Sequence, residues 1–306
     1  LQRYMKLMHC DLFFADGAIL VEGNVERLVL PLMIGHGAKK LNAAYLSILE
    51  VGGAFAFRFQ KLIEFLGLPT LIVTDLDSVY PPKPKKTADA AAQDDNDAGD
   101  DEDDDLDDEA AAEGDEPKPS SKCPAGTAGA VTANQTLRQW LPGKILIEDL
   151  LAAPPESKLQ APQNGSGAHV MVTYQCPVTV KWGEETAELK SRTLEEAFAY
   201  ENLEWCQKKE HHDLKLRWSK AGTMPLADLA SKIHTRVKGQ HFKKTNFALG
   251  LLASSDATWV VPTYIQQGLD WLTQHVTIVE KVSDGTAEVV GVDEAPVQPQ
   301  NVQVAQ

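Results

Sequence analysis

Three short apolar runs, each leading into a turn, constrain the fold of this chain more than any other feature. The first, Ala18-Ile-Leu-Val21, meets Glu22-Gly23-Asn24 and passes into a helix-like apolar pattern from Val25 to Met33. The second, Ala44-Tyr-Leu-Ser-Ile-Leu49, is followed by Gly52-Gly53 and an amphipathic stretch from Ala54 to Leu66, which Gly67 and Pro69 bring to an end. The third, Leu71-Ile-Val-Thr74, runs directly into Asp75-Leu-Asp77-Ser78. Strands alternating with helices predict an α/β fold, a Rossmann-like parallel sheet flanked by helices on both faces. Sites in such sheets form beyond the carboxyl ends of the strands, where Glu22, Asp75 and Asp77 fall.

The net charge of -15 at first argues against a partner as acidic as nucleic acid. Its location removes that objection. Fifteen of the 44 acidic residues lie between Asp94 and Glu116, where there is no Lys or Arg, and the remaining 29 are balanced by 29 basic residues. A block of like charge repels itself and buries nothing, so residues from about 81 to 127 are expected to form a disordered acidic insertion, with order resuming near Asn134. A Pro-, Gly- and Ser-rich weak spot covers Ala152 to Gly167. His169 to Tyr174 and Val178 to Trp182 then have strand character. Helical patterns cover Leu194 to Trp205, Pro225 to Val237, Phe242 to Leu252 and Tyr264 to Thr273. The expected organisation is an α/β domain over 11–204, a helical region over 205–285 that returns to the strand ends, and a flexible tail over 286–306. No apolar run reaches the roughly 18 residues that a membrane-spanning helix needs, and no leader opens the chain, which predicts a cytoplasmic protein. The start at Leu1, without Met, suggests a fragment of something longer. Cys10, Cys123, Cys176 and Cys206 lie too far apart for a zinc-ribbon or disulfide pattern.

Four carboxylates carry the chemistry. Glu22 and Glu26 are four apart across a strand-to-helix turn and can face one cleft, and Asp75 and Asp77 alternate onto one side of a strand end. Such a group repels itself unless hard cations are bound, and oxygen ligands at this density suit Mg²⁺ or Mn²⁺. The reaction most in need of the arrangement is phosphodiester cleavage by two metal ions about 4 Å apart.

Val21-Glu22-Gly23 with Glu26, then a strand, a Gly-Gly turn and a helix, then Asp75-Leu-Asp77, resembles the Toprim domain of primases, topoisomerases and overcoming-lysogenization-defect (OLD) nucleases. Phe13-Phe-Ala-Asp16, Arg27, Ile48-Leu-Glu-Val-Gly-Gly53, Arg192-Thr-Leu-Glu-Glu-Ala-Phe198 and Lys244-Thr-Asn-Phe-Ala248 are similar to the OLD family in particular. The resemblance implies a Toprim fold with an additional helical unit and a DNA endonuclease using two Mg²⁺ or Mn²⁺ ions. Glu22, Glu26, Asp75 and Asp77 would be metal ligands, with a further carboxylate from Leu194-Glu-Glu. Glu195 is favoured over Glu196 because it directly follows the apolar residue. Lys244 would neutralise charge on the cleaved phosphate, with Lys243 as the alternative. Lys238, His241, Lys243 and Lys244 could instead form a basic surface for the DNA backbone. The family further implies an ABC-type ATPase domain ahead of this region, absent here together with any GxxxxGK[ST] loop. It also implies homodimerisation, a possible UvrD-like helicase partner, and a role in phage defence or DNA repair.

Two other readings compete. Topoisomerase action would need a nucleophilic tyrosine in a DNA-cleavage domain, and Tyr174 and Tyr264 lie in apolar surroundings that suit packing. A module that binds DNA or a helicase without cutting would have no reason to keep mutually repelling acids together. His211-His212 reads as part of a solvated helix, since adjacent residues on a helix face different ways, and the six tryptophans read as packing residues.

Overall fold

Strand β1 (Gly17–Val21) is an inner strand of a five-stranded sheet, and all five of its residues are buried. In this computed structural model residues 7–52, 55–81, 121–162, 167–281 and 287–290 are described. Helix α1 (Asn24–Gly37) follows β1, and then come β2 (Leu46–Glu50), α2 (Gln60–Leu66) and β3 (Thr70–Val73). The short pair β4 (Ser78–Val79) and β5 (Val131–Thr132) precedes α3 (Gln135–Gln139) and α4 (Ile147–Leu151). Next are β6 (Leu159–Gln160), β7 (Val170–Thr173), β8 (Val178–Trp182) and β9 (Glu185–Leu189). Helices α5 (Leu194–Glu201), α6 (Leu203–Gln207), α7 (Leu226–Lys238), α8 (Lys244–Ala253) and α9 (Thr263–His275) lead to β10 (Ile278–Lys281) and β11 (Ala287–Val290).

The sheet order is β2-β1-β3-β7-β6, with β2, β1, β3 and β7 parallel. The pleat alternates side chains between two cores. Ile19, Val21, Leu71 and Val73 face a core shared with α1, α5, α7, α8 and α9, whereas Ala18, Leu20, Ile72 and Val172 face Leu62, Ile63, Leu137, Ile147 and Leu150. Burial on both sides explains why these strands read as unbroken apolar runs.

The structure adds detail to these expectations. The sheet is mixed, because β6 joins the edge antiparallel to β7. Strand β8 is outside it and forms a hairpin with β9 across Gly183-Glu184, where Gly183 takes a positive φ of 58°. The described residues begin again at Ser121, ahead of Asn134. Cys123 and Ala125 are buried, and Ser78 donates its hydroxyl to the Cys123 carbonyl at 2.6 Å. Residues 82–120, including the acidic run, lie outside the described residues. The additional helical unit is continuous with the sheet, since Phe198, Ile233, Phe247 and Leu269 share one core with Ile19 and Leu71. The expected tail begins as strand, with Ala287–Val290 paired antiparallel to Ile278–Lys281, and 291–306 lie outside the described residues. No helix among the described residues is long and apolar enough to cross a membrane.

Helix α9 approaches β3 closely at Gly268, where a Cβ would come within 2.8 Å of a Leu71 methyl and 3.1 Å of the Thr173 methyl. Gly268→Ala is expected to lower stability by about 1–3 kcal/mol through overpacking, read from the urea unfolding midpoint. A midpoint equal to that of the unaltered chain would show that α9 can move outward freely.

Candidate metal centre

The carboxyl ends of β1 and β3 place the predicted acids. Glu22 follows β1, and Glu26 lies in the first turn of α1, where the positive end of the helix favours a carboxylate. Asp75 and Asp77 follow β3. Asp77 takes a positive φ of 45°, a conformation that Asp tolerates better than most residues. Glu195 reaches the same place from the first turn of α5, because the Leu194 amide donates to Asp75 Oδ1 at 3.1 Å.

Side chains far apart in sequence hold these acids in position. Glu22 Oε1 accepts from the Thr74 hydroxyl, from the Asp75 amide at 3.1 Å and from Asn134 Nδ2 at 2.7 Å. Gln175 donates Nε2 to Asp75 Oδ1 at 2.5 Å and accepts the Leu76 amide at 2.8 Å. Arg192 donates Nη2 to Asp77 Oδ1 at 2.9 Å and Nε to the Ser78 carbonyl at 3.0 Å. Glu196 is occupied elsewhere. Its Oε2 accepts the Arg192 amide at 2.8 Å, and its Oε1 lies 2.8 Å from His234 Nδ1. Between the two alternatives it is therefore Glu195 whose carboxylate is left to face the site.

Glu195 is fully buried, and neither carboxylate oxygen has a hydrogen-bond partner. Its ion-pair partner is Lys244 Nζ, 3.4 Å from Oε1, on a side chain that is 46% exposed. A buried carboxylate without hydrogen bonds is costly unless a cation compensates it, and Lys244, paired with one of the two oxygens, compensates only part. Lys244 stands at the N-terminus of α8, where the helix dipole disfavours a cation, so the carboxylates supply the compensating attraction. Its neighbour Lys243 is exposed, and the ion pair with Glu195 is made by Lys244.

The acids share one electrostatic field. Burial, then the charge of Asp77, pushes the Glu22 carboxyl up to about 8 against the hydrogen bonds from Thr74 and Asp75. Burial, then the charges of Asp75 and Glu195, pushes Glu26 up to about 8 against the pull of Lys244. Asp75 is also held well above the usual carboxylate range by burial and by Glu22, Asp77 and Glu195, with Lys244 opposing. Burial lowers the Lys244 pKa, but Glu195, Asp75, Glu26 and Asp77 outweigh it and raise the net value, so the ammonium stays charged. Among the described residues, three metal-type ligand atoms converge within 4.8 Å only at Glu210, His211 and Asp256, so the strand-end oxygens are spaced more widely than a single-ion shell.

The donor set fits a hard divalent cation: clustered oxygen ligands, two of them orphaned, with the Glu22 and Glu26 pKa values raised first by burial and then by neighbouring carboxylates. Glu22, Glu26, Asp75, Asp77 and Glu195 could hold such ions.

Several contributors gave little sequence signal. Asn134 could be read as a helix cap, since its Oδ1 accepts from the Thr136 and Leu137 amides, but its reach to Glu22 depends on the β4–β5 pairing. Gln175 follows a strand and carries no motif. The Tyr264 hydroxyl is buried, and burial with the charges of Asp75, Glu26 and Glu195 raises its pKa against an interaction with Gln175, so it stays protonated beside the acids. Asn134→Ala removes donors to Glu22, Thr74 and the Asp75 carbonyl together with the α3 cap. A loss of about 2–3 kcal/mol in unfolding free energy is expected. An unchanged urea midpoint would contradict this accounting.

The sequence model described as "Overcoming lysogenization defect protein-like, TOPRIM domain" matches residues 13–77. Endonuclease GajA of Bacillus cereus (strain HuB5-5) is 40% identical over 77 residues, which is 25% of this chain and 11% of that protein, so the chain aligns with about a tenth of the relative's length. Among solved structures, the C-terminal region of the Burkholderia pseudomallei OLD protein is 15% identical with a TM-score of 0.39, covering 85% of this chain and 98% of that one. The C-terminal region of the Xanthomonas campestris pv. campestris OLD protein is 18% identical with a TM-score of 0.35, covering 86% of this chain and 94% of that one. The segment that carries Glu22, Glu26, Asp75 and Asp77 to the strand ends is thus an OLD-like Toprim domain.

Proposed function

We propose that the chain is the catalytic part of a DNA endonuclease that uses two Mg²⁺ or Mn²⁺ ions. The observation carrying this reading is Glu195, a buried carboxylate with both oxygens unpartnered, brought to the Toprim strand ends beside Asp75 and faced by Lys244. The likeness of residues 13–77 to an endonuclease supports it. When bound, the cations would supply positive charge at the scissile phosphate and a more acidic attacking water. Glu22, Glu26, Asp75, Asp77 and Glu195 would hold them. Thr74 and Asn134 fix the orientation of Glu22, Gln175 and the Leu194 amide fix that of Asp75, and Arg192 fixes that of Asp77. Lys244, partly exposed at the rim, would meet the non-bridging phosphate oxygens as charge develops on them. In the longer protein this reading includes an ABC-type ATPase domain, a homodimer, a possible UvrD-like helicase partner and a role in phage defence.

Incubation with supercoiled plasmid and Mg²⁺ or Mn²⁺ is expected to give nicked and linear DNA, and EDTA to stop the reaction. Lys244→Met should slow cleavage by about 10²-fold. DNA binding without cleavage under either cation would favour a non-catalytic binding module instead.

A further inference from the structure

Glu210, His211 and Asp256 lie away from the strand ends and belong to no part of the proposed nuclease site. His211 departs from the sequence expectation of a solvated helix. It sits where the 3-10 turn Lys209–Leu214 kinks, its side chain is 4% exposed, and its ring stacks on Trp205 with centroids 3.6 Å apart and planes 17° from parallel. His212, next to it, is exposed. The stack fixes the His211 ring so that Nε2 points between two carboxylates, 3.4 Å from Asp256 Oδ2 and 3.6 Å from Glu210 Oε1. Both separations are too long for a hydrogen bond, and Nε2 is buried without a partner.

The spacing matches a different interaction. Ligands at about 2.1 Å around a tetrahedral cation lie roughly 3.4 Å from one another, which is close to the separation of His211 Nε2 from each carboxylate, and the three atoms all lie within 4.8 Å of one another. Asp256 is oriented as a ligand would be. Its Oδ1 accepts from the Thr258 amide at 3.0 Å and hydroxyl at 2.6 Å, which turns Oδ2 toward His211. Lys208 Nζ lies 2.8 Å from Oδ2 on a side chain that is 44% exposed, so it can withdraw into water when a stronger cation arrives.

We propose that His211 Nε2, Asp256 Oδ2 and Glu210 Oε1 form a three-ligand site for a borderline divalent cation of the zinc class, separate from the strand-end carboxylates. One imidazole with two carboxylates suits Zn²⁺ better than Mg²⁺, which avoids nitrogen. The ion would clip the segment after α8 to the turn at Lys209–Leu214 and so restrain the helix whose first residue is Lys244.

Calorimetric titration of the EDTA-stripped 306-residue chain with ZnCl₂ tests this, using Asp75→Asn to exclude the strand-end site. Zn²⁺ binding should persist in Asp75→Asn and should weaken by about tenfold or more when Glu210→Gln or Asp256→Asn is added. Glu210 is exposed, so Glu210→Gln reads ligand loss without disturbing the core. Lys208→Met should tighten binding by about two- to fivefold, because it removes a competing surface ion pair. Equal Zn²⁺ affinity with and without Glu210→Gln and Asp256→Asn, or binding that vanishes in Asp75→Asn alone, would overturn the proposal.

Discussion

Asp75→Asn is expected to slow cation-dependent DNA cleavage by about three orders of magnitude while leaving the fold intact. Asparagine keeps an oxygen to accept from Gln175 Nε2 and the Leu194 amide, so the geometry that brings α5 to the strand end survives. What disappears is one negative charge among five clustered acids, and with it the affinity for the ions that would stabilise charge on the phosphate. The same change removes a source of repulsion from Glu22, Glu26 and Glu195, so without divalent cations the variant should be more stable than the unaltered chain. Lower activity with higher cation-free stability distinguishes a site residue from a structural one. A variant losing both would place Asp75 in the scaffold.

The second large effect is on stability against pH. Folding raises the Glu22 and Glu26 carboxyls from 4.5 to about 8. Between those values the folded chain holds protons that the unfolded chain has released, so their contribution is fully present below about 4.5 and is lost as pH rises through about 8. In EDTA the thermal midpoint should therefore fall across this window, by an amount on the order of a few kcal/mol in stability. A divalent cation takes the place of those protons. Mn²⁺ should restore the midpoint, increasingly so toward pH 8, and should release protons as it binds. Glu26→Gln should flatten the slope, and comparison with it separates these groups from every other titration in the chain. A midpoint that rises from pH 5 to 8 in EDTA, with a slope unaffected by Glu26→Gln, would contradict the electrostatic picture of the site.

How far the sequence revealed this arrangement depended on where each residue's partners lie. Strands β1 and β3 are buried on both faces and therefore appear as plain apolar runs, and the acids that follow them land at the strand ends. Glu195 was legible only through the resemblance. Its place directly after Leu194 favoured it over Glu196, and the contacts that occupy Glu196, with Arg192 and His234, carried no local signal. Strand β9 is exposed over most of its length, so it has no apolar alternation to betray it. Cys123 and Ala125 sit in text that reads as loop, and they are buried because Ser78 and Tyr80 pair with the backbone around them. His211 looked solvated because it lies among Lys, Glu and His, yet the kink in its 3-10 turn breaks helical spacing and swings the ring onto Trp205.

The most direct test of the central claim is the rate of plasmid cleavage against free Mn²⁺ for the unaltered chain and for Asp75→Asn. The account predicts a rate that is zero in EDTA, climbs more steeply than one ion would allow, and falls by about 10³-fold in the variant at every Mn²⁺ concentration. Cleavage that survives EDTA, or that proceeds equally in Asp75→Asn, would show that these carboxylates are not where the DNA is cut.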